Sequence, residues 1–355
     1  GLYRIDRVEQ GEARLIEAVR VEPNVYVPSD AVGGRVSLSP FVPPVPVYPV
    51  FLDLPLLTGE EVPHAPHIAV TATPWPGSVA VYGSASDSGY TLNQTVTGLS
   101  VVGVTQGPLL RAAPGLWDRG PALRVKVYSG TLASADVADV LNGANAAAIG
   151  DGSSDNWEVF QFANATLVGP DTWELSLRLR GQLGSDGVMP DAWPAGSLFV
   201  LLDGVPQQIT LAASARDLAR HYRVGPAGRS YDDPSYVHLI EAFKGIGLRP
   251  YSPSHLRAEH IGGDLALSWV RRTRIDGDSW SSAEVPLGEE RESYLVRVRG
   301  TGEALLREQS VGQPGWTYDA AAQAADGVAA PFAVEVAQMS DRFGPGPFAR
   351  VEITA

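Results

Sequence analysis

The residues that could carry chemistry here are six histidines, a few aspartate pairs, one arginine cluster and a set of loop aromatics. The histidines are His64, His67, His221, His238, His255 and His260, and none falls in an H-E-x-x-H or comparable ligand spacing. His64 and His67 form H-A-P-H, but Pro66 prevents a regular helix from presenting both on one face, so both read as turn residues. Asp276-Gly277-Asp278 could offer clustered oxygens to a hard cation, yet Asp and Gly also make tight turns, and the turn is the reading adopted. Asp151 with Asp155, and Asp232 with Asp233, read the same way. Arg271, Arg272 and Arg274 are the densest positive cluster. Glu289, Glu290 and Glu292 supply nearby counter-charges, which predicts a solvated, salt-bridged strand end. No G-x-S-x-G, P-loop or G-x-G-x-x-G occurs, and no cysteine is present, so nucleophile-elbow, phosphate-cradle, thiol and iron–sulfur chemistry have no support. No catalytic, cofactor or metal residue is assigned, and the expectation is a protein without enzymatic turnover.

Trp75, Trp117, Trp193, Tyr231, Tyr236 and Tyr251 stand beside Gly, Pro or Asp, hence in loops, where aromatic faces could meet a partner subunit or a sugar ring.

The elements that must position these residues are short. The chain has 38 Gly, 28 Pro and 44% hydrophobic residues in brief apolar runs, a profile of many strands joined by tight turns. The formal charge of −13 sets a polyanion at a disadvantage, which argues against nucleic-acid binding. No apolar run reaches the roughly 18 residues of a membrane span. The fold class expected is mainly β: an antiparallel sandwich or barrel-like domain, then a second sandwich, with a proline-rich extended linker and one short helix.

Along the chain, residues 1–30 read as the closing hairpin of a preceding hub-like domain, with strands over 3–8 and within 15–27, so that the sequence looks like part of something longer. Residues 31–60 hold a proline-rich strap. Its core, PFVPPVPVYPVFLDLP at 40–55, carries six prolines that exclude helix and central strand, yet Phe41, Tyr48 and Phe51 make it too apolar for a free linker. It is expected to cross in extended form to another domain or subunit. Residues 61–248 form an antiparallel β domain with strands within 67–82, 90–105, 122–128, 157–162, 166–168, 173–180 and 198–202. The one helix falls in 134–149, capped by Ser134. Pro250 and Pro253 mark a boundary, and residues 249–355 space their strands as a sandwich does, with Trp269 alternating onto the buried face with Leu265 and Leu267.

That last segment resembles a fibronectin type III domain: Leu267 and Trp269 fit its strand B, Phe332, Val334, Val336 and Ala337 its strand F, and Gly344 and Gly346 the turn into strand G. Phe332 stands where the family often has Tyr. A wider string, LRLRGQLGS at 177–185, Gly225-Pro226, LRPYSP at 248–253 and LSWVRRTRIDGDSW at 267–280, is similar to the C-terminal part of the large baseplate protein, or megatron, of alphaproteobacterial gene transfer agents and related siphophage tails. The resemblance implies a virion-like tail-tip component, assembled in the cytoplasm and extracellular after release. It would act as a homo-oligomer, a trimer by preference, with other baseplate proteins, helping to close the tail channel or to contact recipient polysaccharide. The alternative is a secreted carbohydrate-binding or glycan-cleaving β protein with sandwich spacers.

Overall fold

The computed structural model describes residues 1–22, 45–277 and 285–354. The chain divides into two compact units, Gly1–Pro43 and Pro44–Ala355.

In the first unit Tyr3–Gln10 and Arg14–Arg20 pair as an antiparallel hairpin. A bulge between Ile5 and Arg7 absorbs one residue, which keeps Val8 on the same face as Tyr3 and Ile5. Opposite them lie Ile16 and Ala18. One face is therefore apolar at its centre, with Arg14 and Arg20 at its ends, and the other carries Arg4, Arg7, Glu9 and Glu17 alongside Leu15 and Val19. The Pro-Asn turn expected inside 15–27 falls partly outside the described residues; the hairpin turn described is at 11–13.

In the second unit a three-stranded sheet, Gln207–Gln208, His67–Thr71 and Tyr48–Leu52, is buried on both faces. On one side Phe51, Ile68 and Val70 meet Val79, Val81, Tyr222 and Val224 of a four-stranded sheet, ordered Val237–Glu241, Arg220–Pro226, Val79–Ser84, Thr91–Val96. On the other side Val50, Leu52 and Ala69 meet Val102, Ala148, Trp157 and Val200 of a barrel. This double burial explains why HIAVT is apolar almost throughout instead of alternating with polar residues.

The barrel has six antiparallel strands: Leu123–Val127, Val102–Thr105, Leu198–Leu201, Ala146–Gly150, Trp157–Gly169 and Thr172–Gln182, closing back onto Leu123–Val127. Phe160, Phe162, Phe199, Ile149 and Trp193 fill its interior. Closure leaves none of these six strands with a bare edge over its paired length, which removes a route to aggregation.

Residues 254–353 fold as two packed sheets. One holds Ser254–Ile261, Asp264–Val270 and Gly315–Tyr318; the other is ordered Leu305–Val311, Tyr294–Arg299, Phe332–Ser340, Ala349–Ile353. Between them lie Leu265, Leu267, Trp269, Val296, Phe332, Val334 and Ile353. The mainly β architecture is thus as the composition indicates.

Three sequence expectations are corrected. The helix in 134–149 covers only Val137–Leu141; Asp136 stands at its N-cap position without a side-chain cap bond, and the Ser134 hydroxyl is engaged with the Ala165 backbone at 3.0 Å instead. Ala146–Gly150, alanine-rich and helix-prone, is a barrel strand because its small side chains let neighbouring strands close in. A Cβ on Gly150 would stand 2.6 Å from the Trp157 ring. A second helix, Ala320–Asp326, is held by the Asp319 carboxylate on Ala322 N–H at 2.7 Å and ends at Gly327 with φ 61°.

The third correction concerns the strap. Within 45–55 it is extended but docks inside its own unit, because Tyr48–Leu52 is an edge strand on His67–Thr71. The N–H and C=O of Val70, opposite Pro49, both turn to Ser100, at 3.1 and 2.9 Å, so the Pro49–Val70 pair exchanges no ladder bonds. The missing proline donor therefore falls on the open edge, where a strand tolerates it.

Candidate interaction surfaces

Among the interaction candidates, Phe51 is 4% exposed and packs on Tyr222 and Phe243 at ring distances of 5.0 and 5.3 Å, so it serves its own core and is not available to a partner. Tyr48 is 44% exposed and meets Tyr128 edge-on at 5.5 Å. Phe41 lies outside the described residues. Trp269 and Phe332 are both buried in the terminal sandwich, Trp269 edge-on to Tyr294 at 5.2 Å.

The string LRLRGQ, at 177–182, builds an ionic pin inside the barrel wall. Arg180, fully buried, donates from Nε and Nη2 to the two oxygens of the equally buried Glu158, at 2.6 and 2.8 Å, and from Nη1 to Leu110 C=O at 2.6 Å. Trp193 Nε1 and Gly181 N–H complete the Glu158 carboxylate at 2.7 and 3.1 Å. Arg178 grips Asp118 from Nε and Nη2 at 3.0 and 2.8 Å. Burial alone would raise the Asp118 carboxyl, but the Gly120 N–H and Arg178 outweigh it and hold it below the usual range. Every charged group here has a partner, so the site is a lock rather than a reactive centre. Trp193, expected in a loop facing a partner, belongs to this lock.

Arg272 and Arg274 are not a solvated strand end. Arg272 bonds Asp186 at 2.8 Å and lies over the Tyr251 ring at 5.2 Å, while Arg274 and Glu289 pair at 3.0 Å with side chains only 9% and 2% exposed. Burial arises because Arg274 reaches back to Gly247 C=O and Arg272 to the 185–188 turn, tying the terminal sandwich to the segments before it. Asp151, Asp155 and Asp233 occupy turns, accepting from Ser153 and Asn156, from Lys244, and from Ser235. Asp278 lies outside the described residues. His64 bonds Leu211 C=O at 3.0 Å, and His67 is a buried strand residue, not a turn residue, whose imidazole burial pushes below its ordinary pKa.

Two solvent-facing surfaces remain. The first is the hairpin face, where Tyr3, Ile5, Val8 and Ile16 are each 53–59% exposed. A two-stranded hairpin with an uncovered apolar face is marginal by itself, which marks it as a surface made to be covered.

The second is the outer face of the four-stranded sheet. Tyr231 meets Tyr82 and Tyr90 at ring distances of 5.3 and 5.5 Å, and Arg223 lies over Tyr90 at 5.1 Å. Tyr90 and Arg223 donate to Asp87 at 2.5 and 3.0 Å, which together hold the Asp87 carboxyl low. His221 and His238 stack beside them at 3.0 Å between ring nitrogens. Asp87, His221 and His238 are the one group of three potential metal ligands among the described residues. Sequence reasoning missed it. The two histidines are separated by a long loop, and only the pairing of Arg223 with His238 reveals that they share a face.

Fold and surfaces thus define a multi-sheet β protein with an exposed hairpin in its first unit and a polar aromatic sheet face in its second. Residues 100–200, which span the barrel almost strand for strand, match the family model described as Rcc01698-like, C-terminal. No curated protein matches the chain. Among solved structures, one titled "Cytokine receptor complex - Crystal form 1A" aligns at 12% identity over 66% of this chain and 91% of that chain, with a TM-score of 0.21, too low to bear on the fold.

Proposed function

We propose that this chain is a structural component of a phage-like tail baseplate of the gene-transfer-agent type, acting at the tail tip in channel closure and in recipient attachment or DNA delivery. The observation that carries this reading is the hairpin. Seven- and eight-residue strands presenting Tyr3, Ile5, Val8, Ile16 and Ala18 on one face suit docking into a larger assembly. The family match over 100–200 supports it, because that window contains LRLRGQLGS, the string through which the chain resembles the baseplate family. The strand order of residues 254–353, three strands facing four, suits a fibronectin type III-like module as spacer or contact domain. The protein is non-enzymatic in this reading and works as a homo-oligomer, a trimer by preference, with other baseplate proteins.

The test is incorporation into particles. The triple variant Ile5→Asp, Val8→Asp, Ile16→Asp is expected to leave the 45–354 unit folded, judged by an unchanged main melting transition, and to be absent from purified particles. Normal incorporation of the variant would refute the assignment. The purified chain is expected to show no turnover on peptidoglycan or capsular polysaccharide; activity abolished by a single carboxylate substitution would restore the glycan-cleaving alternative.

A further inference from the structure

The His221–His238 contact has a requirement that neither the barrel nor the hairpin explains. His221 and His238 project from adjacent antiparallel strands, Arg220–Pro226 and Val237–Glu241, with rings 11° from parallel and Nδ1 of the first 3.0 Å from Nε2 of the second. Two imidazole nitrogens cannot stand so close with both lone pairs bare, so a proton or a cation must lie between or beside them. Asp87, from the turn joining Val79–Ser84 to Thr91–Val96, brings its carboxylate to 3.8 Å from His238 Nε2, and the three ligand atoms lie within 4.8 Å of one another. For a triangle with sides of 3.0, 3.8 and at most 4.8 Å, the point equidistant from all three atoms is about 1.9–2.4 Å from each. That interval contains the zinc–imidazole bond length of about 2.0–2.1 Å.

We infer that Asp87, His221 and His238 form a binding site for a divalent transition-metal ion of the zinc type, with a fourth coordination position open to water. The choice of metal class follows from the donors: imidazole nitrogen suits zinc, nickel or copper, whereas calcium and magnesium want oxygen. Asp87 is already steered toward the histidines. Tyr90 and Arg223 both donate to its Oδ1, the oxygen that stands 3.8 Å from His238 Nε2, and so hold the carboxylate beside the histidines, as second-layer donors do in metal sites. The Arg223 charge is engaged by that carboxylate and by the Tyr90 ring face. The 3.0 Å separation of the two nitrogens is that of an N–H···N bond, so binding requires each ring to turn slightly as the metal replaces the bridging proton. Such a turn is available on a sheet face where His221 and His238 are only partly covered.

The untagged chain, stripped of metal with chelator and dialysed, would be titrated at pH 7.5 with zinc chloride by calorimetry and with cobalt(II) by visible absorption. One equivalent should bind. His221→Ala and His238→Ala should each weaken binding at least tenfold and Asp87→Asn measurably, while His64→Ala and His260→Ala leave it unchanged; circular dichroism would verify that each variant is folded. Binding should fall on acidification to pH 5.5, because ligand nitrogens must be free of protons. The proposal is overturned if no saturable one-to-one uptake occurs, or if uptake survives in the His221→Ala, His238→Ala double variant; either result leaves an N–H···N bond as the sole relation between the rings.

Discussion

Replacing Arg180 by Met tests whether the barrel is pinned as described. The substitution removes the two bonds to Glu158 and the bond to Leu110 C=O, and leaves a fully buried carboxylate supported only by Trp193 Nε1 and Gly181 N–H. An uncompensated buried charge costs about 3–5 kcal/mol. Glu158→Gln should cost less than Arg180→Met, because Asp118 Oδ2, 3.7 Å from Arg180 Nη1, still offers the guanidinium a counter-charge. The double variant Glu158→Gln, Arg180→Met strands no charge: the amide oxygen still accepts from Trp193 Nε1 or Gly181 N–H, and Leu110 C=O loses its partner, worth about 1–3 kcal/mol. Its cost should therefore fall well below the sum of the single variants, with a coupling energy of about 2–4 kcal/mol. Urea denaturation followed by fluorescence of the buried Trp157 and Trp193 gives the three values. A single variant costing under about 1 kcal/mol, or strict additivity, would refute the argument.

The remaining predictions use other parts of the molecule. Trp269→Ala should destabilise the terminal sandwich by about 3–5 kcal/mol in calorimetric melting, since its indole is 4% exposed against Tyr294; a cost below about 1 kcal/mol would contradict its packing. Phe51→Ala should cost a similar amount while Tyr48→Ala costs under about 1 kcal/mol, a contrast that a strap docked only on a partner would reverse. Asp53 accepts N–H from Lys244, Gly245 and Ile246 at 2.7–2.9 Å, yet burial outweighs those bonds and pushes its carboxyl from 3.8 up to about 6. Between those pH values the folded chain keeps a proton that the unfolded chain has shed, so this group's contribution falls as pH rises from about 4 to about 6, by about 3 kcal/mol in all. Asp53→Asn should flatten that part of the stability profile measured by denaturation at successive pH values, and an unchanged profile would show that Asp53 does not titrate there.

What the sequence reveals and what it conceals follow different physics. The strands over 198–201, 264–270 and 294–299 are legible because local alternation or apolar runs reflect their immediate surroundings. Sheet membership is not. Residues 67–71 and 79–84 flank a Trp-Pro-Gly turn as a hairpin would, yet they enter different sheets and face each other across a core. The 320–326 helix is written locally in its Asp319 cap, alanine run and Gly327. The arginines of LRLRGQ could not be placed by alternation, because their acceptors Asp118 and Glu158 lie 60 and 22 residues away and only barrel closure brings them within reach. Asp87, His221 and His238 are hidden for the same reason, by separation along the chain.

The proline-rich segment joins these observations to the proposed role. The hairpin that a partner would cover is joined covalently, through residues 23–44, to the point where the chain enters the second unit, and the first regular element there is the edge strand Tyr48–Leu52. An edge strand held by one ladder alone would peel readily under tension. This one is gripped from both faces, Phe51 in the core shared with the four-stranded sheet and Val50 and Leu52 against the barrel, while the next residue, Asp53, receives three backbone N–H groups from 244–246. Pulling on it must therefore disturb both cores at once and break a buried carboxylate contact, instead of opening five ladder positions one by one. A strand so placed suits a permanent tether, and Pro49, which bars it from the centre of a sheet, also protects its open edge from pairing with another chain.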